Sequence, residues 1–199
     1  VKTIVDQVDA MKRLVNEFRD YARLPSAELQ PVQLNDLIAD LMVLYANEPT
    51  DQEHRAVVVT ELDPACPPIM GDAQQLRQVI HNLLQNAQDA CEIKGLVPQN
   101  ARVGLRTEWN EARRRVRLTV TDTGPGFETN ILKRAFEPYV TTKAKGTGLG
   151  LAVVKKIADE HAAKIELGNT LQDGEIQGAQ VSLSFALDST MGRAHPPIH

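Results

Sequence analysis

Cysteine is scarce in this chain. Cys66 and Cys91 are the only two in 199 residues, and they stand in no C-x-x-C or other metal-ligand spacing. That leaves no cysteine pair to hold a metal and points to a reduced, cytoplasmic setting. Aromatics are thin as well, at 4%. A core must then come from Leu, Val, Ile and Ala, and the 42% hydrophobic fraction is ample for a mixed α/β domain. No apolar run approaches the ~20 residues of a membrane helix, and no signal peptide is visible. Positive charge is not in excess either. The formal net charge of −4 argues against a nucleic-acid surface as the main business of the chain. Arg113, Arg114 and Arg115 form a basic run, but in a turn such a run is more often a solvated hairpin end. The Walker pattern G-x-x-x-x-G-K-[ST] is absent, and no internal repeat or long low-complexity tract occurs.

What is present begins with a helical pattern. Ile4, Val8, Met11, Val15, Phe18 and Ala22 recur in steps of 4, 3, 4, 3 and 4, a heptad seam that calls for a partner helix or, alternatively, folds against its own domain. The chain starts inside this pattern, so it reads as a piece of something longer. Residues 1–24 are expected to form one helix, about 36 Å long at 1.5 Å per residue. Pro25 opens a linker over 25–31, and residues 32–187 form the main domain. Within it Asn35 is a candidate N-cap for a helix from Asp36. Ala56–Leu62 reads as a strand. Asp72 caps a helix over Ala73–Cys91, with Leu76, Val79, Ile80, Leu83, Leu84, Ala87 and Ala90 on its apolar side. Arg102–Trp109 and Val116–Thr121 alternate as a hairpin. Leu149–His161 is a further helix, and Ile165–Leu167 and Val181–Leu187 are strands. Residues 188–199 read as a disordered tail. This order predicts an α+β fold, a two-layer α/β sandwich with a mostly antiparallel sheet and its helices on one face.

Four stretches carry chemistry. Asp122-Thr-Gly-Pro-Gly-Phe127 follows a strand. Gly124 and Gly126 around a proline make a tight turn that a ligand can approach, and the Asp122 carboxylate could accept a hydrogen bond from an exocyclic amine; Asp-x-Gly is also an ordinary turn. Gly146-Thr147-Gly148-Leu149-Gly150-Leu151 comes just before a helix, where backbone N–H groups and the helix dipole suit phosphates, although a flexible linker would read the same way. Its spacing is G-x-G-x-G with no strand immediately before it, which argues against a dinucleotide fold. Between these loops lies Phe136-Glu-Pro-Tyr-Val-Thr-Thr-Lys143, where Thr141, Thr142, Lys143 and Lys145 could serve a polyphosphate or simply be solvated. On the long helix, Asn82 and Asn86 are one turn apart on one face. They are either satisfied core amides or oxygen ligands for Mg²⁺.

Together, Asn82-Leu-Leu-Gln-Asn-Ala87, Asp122-Thr-Gly-Pro-Gly, Phe136-Glu-Pro-Tyr-Val-Thr-Thr-Lys and Gly146-Thr-Gly-Leu-Gly-Leu resemble, in order and spacing, the N, G1, F and G2 boxes of sensor histidine kinases. The stretch from Tyr139 to Leu151 is most similar to nitrogen-regulation sensor kinases of the NtrY type. The resemblance covers 32–187 and implies a Bergerat-type ATP fold, with 1–24 as the second helix of a dimerisation bundle. It implies ATP and Mg²⁺ as cofactors, with Asp122 on adenine and Asn86 and Asn82 serving the metal. Asp89, Gly124, Gly126, Thr142, Lys143, Gly146, Thr147, Gly148, Leu149 and Gly150 would border the nucleotide. The implied partners are a second copy of the chain and a response regulator. The implied setting is a cytoplasmic domain of a protein anchored in the bacterial inner membrane through segments outside this sequence.

Two departures stand out. Related hydrolytic ATPases carry a Glu where this chain has Asn82, and an amide cannot act as a carboxylate base, so phosphoryl transfer is favoured over hydrolysis. The family's acceptor is a His followed by Glu or Asp, and none of the five histidines here (His54, His81, His161, His195, His199) stands in that context. The acceptor is therefore expected outside these residues. A hydrolytic ATPase and a non-catalytic dimerising module are the alternatives. Smaller departures are His161-Ala-Ala163 in place of His-Gly-Gly, and Ala179 in place of a Thr after Gly178.

Overall fold

The computed structural model of the chain describes residues 8, 11, 12, 15, 18, 19, 21–47, 56–93, 100–141, 143 and 146–187. The tail expected at 188–199 lies outside the described residues, as do Ile4, Thr142 and Lys145. In chain order the elements are β1 (Gln30–Val32), α1 (Leu34–Asn47), β2 (Val57–Leu62), β3 (Ile69–Gly71), α2 (Ala73–Ile93), β4 (Arg102–Asn110), β5 (Arg115–Asp122), α3 (Thr129–Leu132), α4 (Gly150–Glu160), β6 (Lys164–Gln172) and β7 (Glu175–Ala186).

The expected two-layer α/β sandwich is the observed architecture. Five strands form a sheet in the order β2-β4-β5-β7-β6, antiparallel throughout except for the parallel pair β2–β4. Period-two alternation sends Val103, Leu105 and Thr107 of β4, Val116, Leu118 and Val120 of β5, and Val181, Leu183 and Phe185 of β7 to one buried face. Register aligns these side chains in rows: Leu105 opposite Val120 and Val120 opposite Val181, then Leu118 opposite Leu183. Helix α2 lays Leu76, Val79, Ile80, Leu83, Leu84, Ala87 and Cys91 on this face. The i, i+3, i+4, i+7 spacing makes that stripe continuous, and each large side chain contributes roughly 1.5–3 kcal/mol by burial. Ala90, expected in the stripe, is only half-buried and abuts the turn after β5. Both cysteines are buried and free.

Buried amides and carboxylates then fix the elements to one another. Asn35 does not cap α1. The helix begins at Leu34, two residues before the expected start, Gln33 O accepts the Leu37 N–H, and the Asn35 amide donates to Asp63 O at 2.8 Å and accepts from Thr107 Oγ1 at 2.8 Å. The residue was read as a local cap because its long-range partners, on β4 and just after β2, are invisible in a linear pattern. Asp72 does cap α2: its Oδ1 accepts from Gln74 N and Gln75 N. Its Oδ2 accepts from Glu28 N, and its own N–H donates to His161 Nε2 at 2.9 Å. Because Nε2 accepts, the imidazole proton sits on Nδ1, which bonds Ile157 O at 2.8 Å. Burial pushes the Asp72 carboxyl up, but N–H groups of Gln75, Glu28 and Gln74 with nearby His161 outweigh it and hold it below the ordinary aspartate value. Its contribution to stability is therefore present at neutral pH and fades as pH falls through that lowered value.

The stretch expected as a linker is partly ordered against the domain. Residues 30 and 31 pair in β1 with β3, and Gln75 Nε2 donates to Pro25 O at 2.8 Å. Described residues between 8 and 22 are helical, and Val8, Met11, Val15 and Phe18 are 44%, 66%, 62% and 51% exposed. These described positions of the heptad seam are thus uncovered within this chain. Lys156 Nζ donates to Tyr21 O and lies 5.6 Å from the Tyr21 ring, tying the helix end to α4.

Gln88 ties α2 to the residue before β2. Its Oε1 accepts from Ala56 N at 2.8 Å and its Nε2 donates to Ala56 O at 3.0 Å, and both residues are buried. Gln88→Ala would orphan a buried N–H and a buried C=O together, at a predicted cost of about 2–4 kcal/mol. Urea denaturation tests this, and a shift smaller than about 1 kcal/mol would show that Ala56 finds water instead.

Candidate nucleotide-binding site

Helix α2 passes both glycine loops. A Cβ built on Gly150 would meet Asn86 Nδ2 at 3.5 Å, and one turn further on a Cβ on Gly124 would meet Ala90 Cβ at 2.7 Å. The Asn86 amide therefore faces the start of α4, and Ala90 abuts the turn after β5. Asn82 sits one turn before Asn86, half-buried. Two loops that are far apart in the chain thus meet the same face of one helix.

Asp122 ends β5. Its Oδ1 accepts from Gly124 N at 2.8 Å and from Ala179 N on β7 at 3.1 Å. These bonds fix the carboxylate between the turn and the adjacent strand. The Gly124–Gly126 turn is then closed from the far side by Asn169 of β6. Asn169 Oδ1 accepts from Phe127 N at 2.7 Å and its Nδ2 donates to Phe127 O at 2.9 Å. Gly126 adopts φ +78°, and a Cβ there would lie 2.5 Å from Ile176 Cγ2. Asn169 was not among the residues singled out from sequence. A lone Asn in a strand of mixed polarity gives no signal of that role.

The second loop is built on α4. Gly148 has φ +71°, and Tyr139 packs onto it: Tyr139 N donates to Gly148 O at 3.0 Å, while a Cβ on Gly148 would meet the Tyr139 carbonyl carbon at 2.6 Å. Tyr139 itself holds φ +66° and is 60% exposed. Thr147 Oγ1 accepts from Leu149 N, and Leu149 is fully buried at the head of α4 with no side-chain cap on the helix. Gly146, Gly148 and Gly150 thus bring the α4 N-terminus to the same place as Asn86. Lys143 reaches in from the intervening segment. Its Nζ lies 2.7 Å from Asp89 Oδ2 and 3.1 Å from Asn86 Oδ1.

The assembled site has a fixed carboxylate at the end of a strand, two glycine turns, an uncapped helix N-terminus and an amide oxygen beside a cation. Residues 71–189 match the family described as histidine kinase-, DNA gyrase B-, and HSP90-like ATPase. The chain belongs to this family. Among curated proteins it is similar to the nitrogen regulation protein NtrY of Azorhizobium caulinodans, 34% identical over 185 residues, covering 92% of this chain and 23% of that one. Among solved structures it is similar to full-length ShkA in complex with AMPPNP, with a TM-score of 0.73, 28% identity, and coverage of 92% of this chain and 37% of that one. It is also similar to the catalytic domain of histidine kinase ThkA, with a TM-score of 0.65, 28% identity, and coverage of 80% of this chain and 95% of that one. The chain therefore spans well under half of NtrY and of ShkA, and nearly all of an isolated ATPase-family catalytic domain. Among the described residues no helix is long and apolar enough to cross a membrane.

Proposed function

We propose that this chain is the ATP-binding catalytic domain of a two-component sensor histidine kinase. In the intact protein it transfers the γ-phosphate of ATP to a histidine outside these residues, for relay to a response regulator. The observation that carries this reading is the meeting of Asp122, the glycine loop of α4 and Asn86 on one face of α2.

Asp122 takes the exocyclic amine of adenine, with Gly124 and Gly126 leaving room for the base. The N–H groups of the Gly146–Gly150 loop and the head of α4 take the phosphates, helped by Thr142, Lys143 and Thr147. Asp89 borders the phosphate position, where it pairs with Lys143. A hard divalent cation fits here: Asn86 Oδ1 and Asp89 Oδ2 already converge on one positive charge, the Lys143 ammonium, and Mg²⁺ takes few protein oxygens of this kind. Asn86, with Asn82 beside it, would hold Mg²⁺, which when bound neutralises charge on the phosphate oxygens. Asn82 supplies no base for water, so the bound phosphate waits for an external acceptor. The uncovered heptad face supports pairing of the first helix with a second copy in the intact protein. The domain itself is cytoplasmic in this reading, and membrane attachment belongs to segments outside the chain.

Calorimetry tests the reading. ATP and ADP are expected to bind, more tightly with Mg²⁺, and Asn86→Ala should remove the Mg²⁺-dependent gain while leaving Mg²⁺-free affinity in place. Incubation with ATP should yield no acid-labile label on this chain. No binding at millimolar ATP would move the assignment to a non-catalytic dimerising module. Steady turnover abolished at Asn82 would move it to a hydrolytic ATPase.

A further inference from the structure

The pocket carries a cation of its own. The Lys143 ammonium bridges Asn86 Oδ1 and Asp89 Oδ2, linking residues 57 and 54 positions apart in the chain. The pair is partly shielded, with the Lys143 and Asp89 side chains 24% and 32% exposed. Such a contact is firmer than a free surface ion pair, whose partners are screened by water. Its two halves are unequal. Asp89 Oδ1 also accepts from Gln85 Nε2 at 2.8 Å, one turn earlier on α2, so the carboxylate stays oriented without Lys143. Lys143 stands on a short arm: its N–H donates to Thr141 Oγ1, its carbonyl accepts from Gly146 N, and the arm is rooted where Tyr139 meets Gly148. Asp89 thus keeps a second partner on its own helix, whereas Lys143 is carried on the intervening segment.

The position is the consequential part. Lys143 sits on the oxygen of Asn86, the group that would serve the metal. Two cations on one amide oxygen repel each other, and an ammonium on a flexible stem is the one free to leave. A bound polyphosphate would offer it acceptors of greater negative charge. Asp89, in turn, is a negative charge beside a polyphosphate site, a poor arrangement for binding unless something neutralises it.

We propose that Asp89 is a parking residue: it holds Lys143 over the metal and phosphate position, and nucleotide binding proceeds by exchange of the Lys143 ammonium from Asp89 to the polyphosphate. This rests on the nucleotide-binding reading above. The exchange tunes affinity, because each binding event must break the Asp89 contact before Lys143 can bond phosphate.

The test compares Asp89→Asn, Lys143→Met and the double variant. ADP affinity is measured by calorimetry with and without Mg²⁺, and amide exchange of Tyr139, Lys143 and Gly146 is measured without nucleotide. Asp89 and Lys143 are partly exposed, so a thermal melt should show all three variants folded. The two single variants should move affinity in opposite directions. Without Mg²⁺, Lys143→Met binds ADP more weakly, and Asp89→Asn binds it about three- to tenfold more tightly, the range expected for release of one partly shielded pair. Amide exchange at the arm should quicken to a similar degree in each single variant, with no further gain in the double, since both remove the same contact. Weaker ADP binding by Asp89→Asn would overturn the proposal, as would an arm whose exchange is unchanged in that variant. If the unaltered chain binds no nucleotide while the arm still loosens in both variants, the nucleotide-binding reading fails and the exchange falls with it.

Discussion

Asp122→Asn is expected to weaken ATP and ADP binding about a hundredfold, a loss of roughly 2.7 kcal/mol, while leaving the fold intact. The carboxylate is held by the N–H groups of Gly124 and Ala179, both on Oδ1. An Asn at this place keeps one oxygen, and those two donors fix it toward the turn and β7. The other position then changes from acceptor to donor. A base amine arriving there meets an N–H₂ instead of an oxygen, and two donors facing one another cost more than a lost hydrogen bond. The side-chain volume is nearly unchanged, so the melting temperature should move little. Calorimetry with ADP and with GDP gives the specific form of the test: the Asn variant should lose its preference for adenine. Undiminished ADP affinity would remove Asp122 from base recognition and leave it as the strut between β5 and β7.

The sequence patterns that proved readable were the periodic ones. Helix α2 was visible because its apolar residues recur at helical spacing for more than four turns, and it runs two residues beyond the expected end at Cys91. The β4–β5 hairpin was visible because alternation is unbroken on both arms. The β6–β7 hairpin was expected only at 165–167 and 181–187. It extends to Gln172 and back from Glu175, through Asn169, Thr170, Gln172, Glu175 and Gln177, with an irregularity after Thr170. Backbone pairing runs through those residues, Asn169 is held besides by its two bonds to Phe127, and polar side chains of this kind carry no period. Strands β1 and β3 escaped because three residues are too few for alternation to register, and Pro31 argues against a strand until it is seen on an outer pair.

The site was legible in parts rather than as an arrangement. Each motif announced a type of chemistry: a carboxylate at a strand end, glycines before a helix, amides one turn apart. That Asn86 faces Gly150 while Ala90 abuts Gly124 follows from how α2 crosses the sheet, which no local pattern encodes. The Lys143–Asp89 contact spans 54 residues and belongs to the same class of information. Asn35 marks the converse error. A residue with strong local capping preference was drawn away by two partners that only tertiary packing supplies.

Gly178 provides the second large effect, at a position where one methyl group separates a working site from a disrupted one. A Cβ on Gly178 would lie 1.7 Å from Asp122 O, 2.7 Å from Asp122 C and 3.1 Å from Thr123 Cα. These are backbone atoms, and they cannot step aside. The Asp122 side chain is bonded to Gly124 on one side and to Ala179, the neighbour of Gly178, on the other. Gly178→Ala must therefore push β7 away from the end of β5, which breaks the Ala179 N–H bond to Oδ1 and turns the carboxylate out of line. Overpacking of this kind costs about 1–3 kcal/mol or more, and nucleotide binding should fall below detection because the group that reads the base has moved. Gly168→Ala is the matched control. Gly168 lies on β6 opposite Gln180, and a Cβ there meets nothing within 4 Å. That variant should bind ADP as the unaltered chain does and be at least as stable, since Ala loses less chain entropy than Gly on folding. Urea denaturation and ADP calorimetry on the two variants decide the matter. A Gly178→Ala protein that binds and unfolds like Gly168→Ala would mean that β7 and the end of β5 are not held as closely as the Asp122 geometry requires.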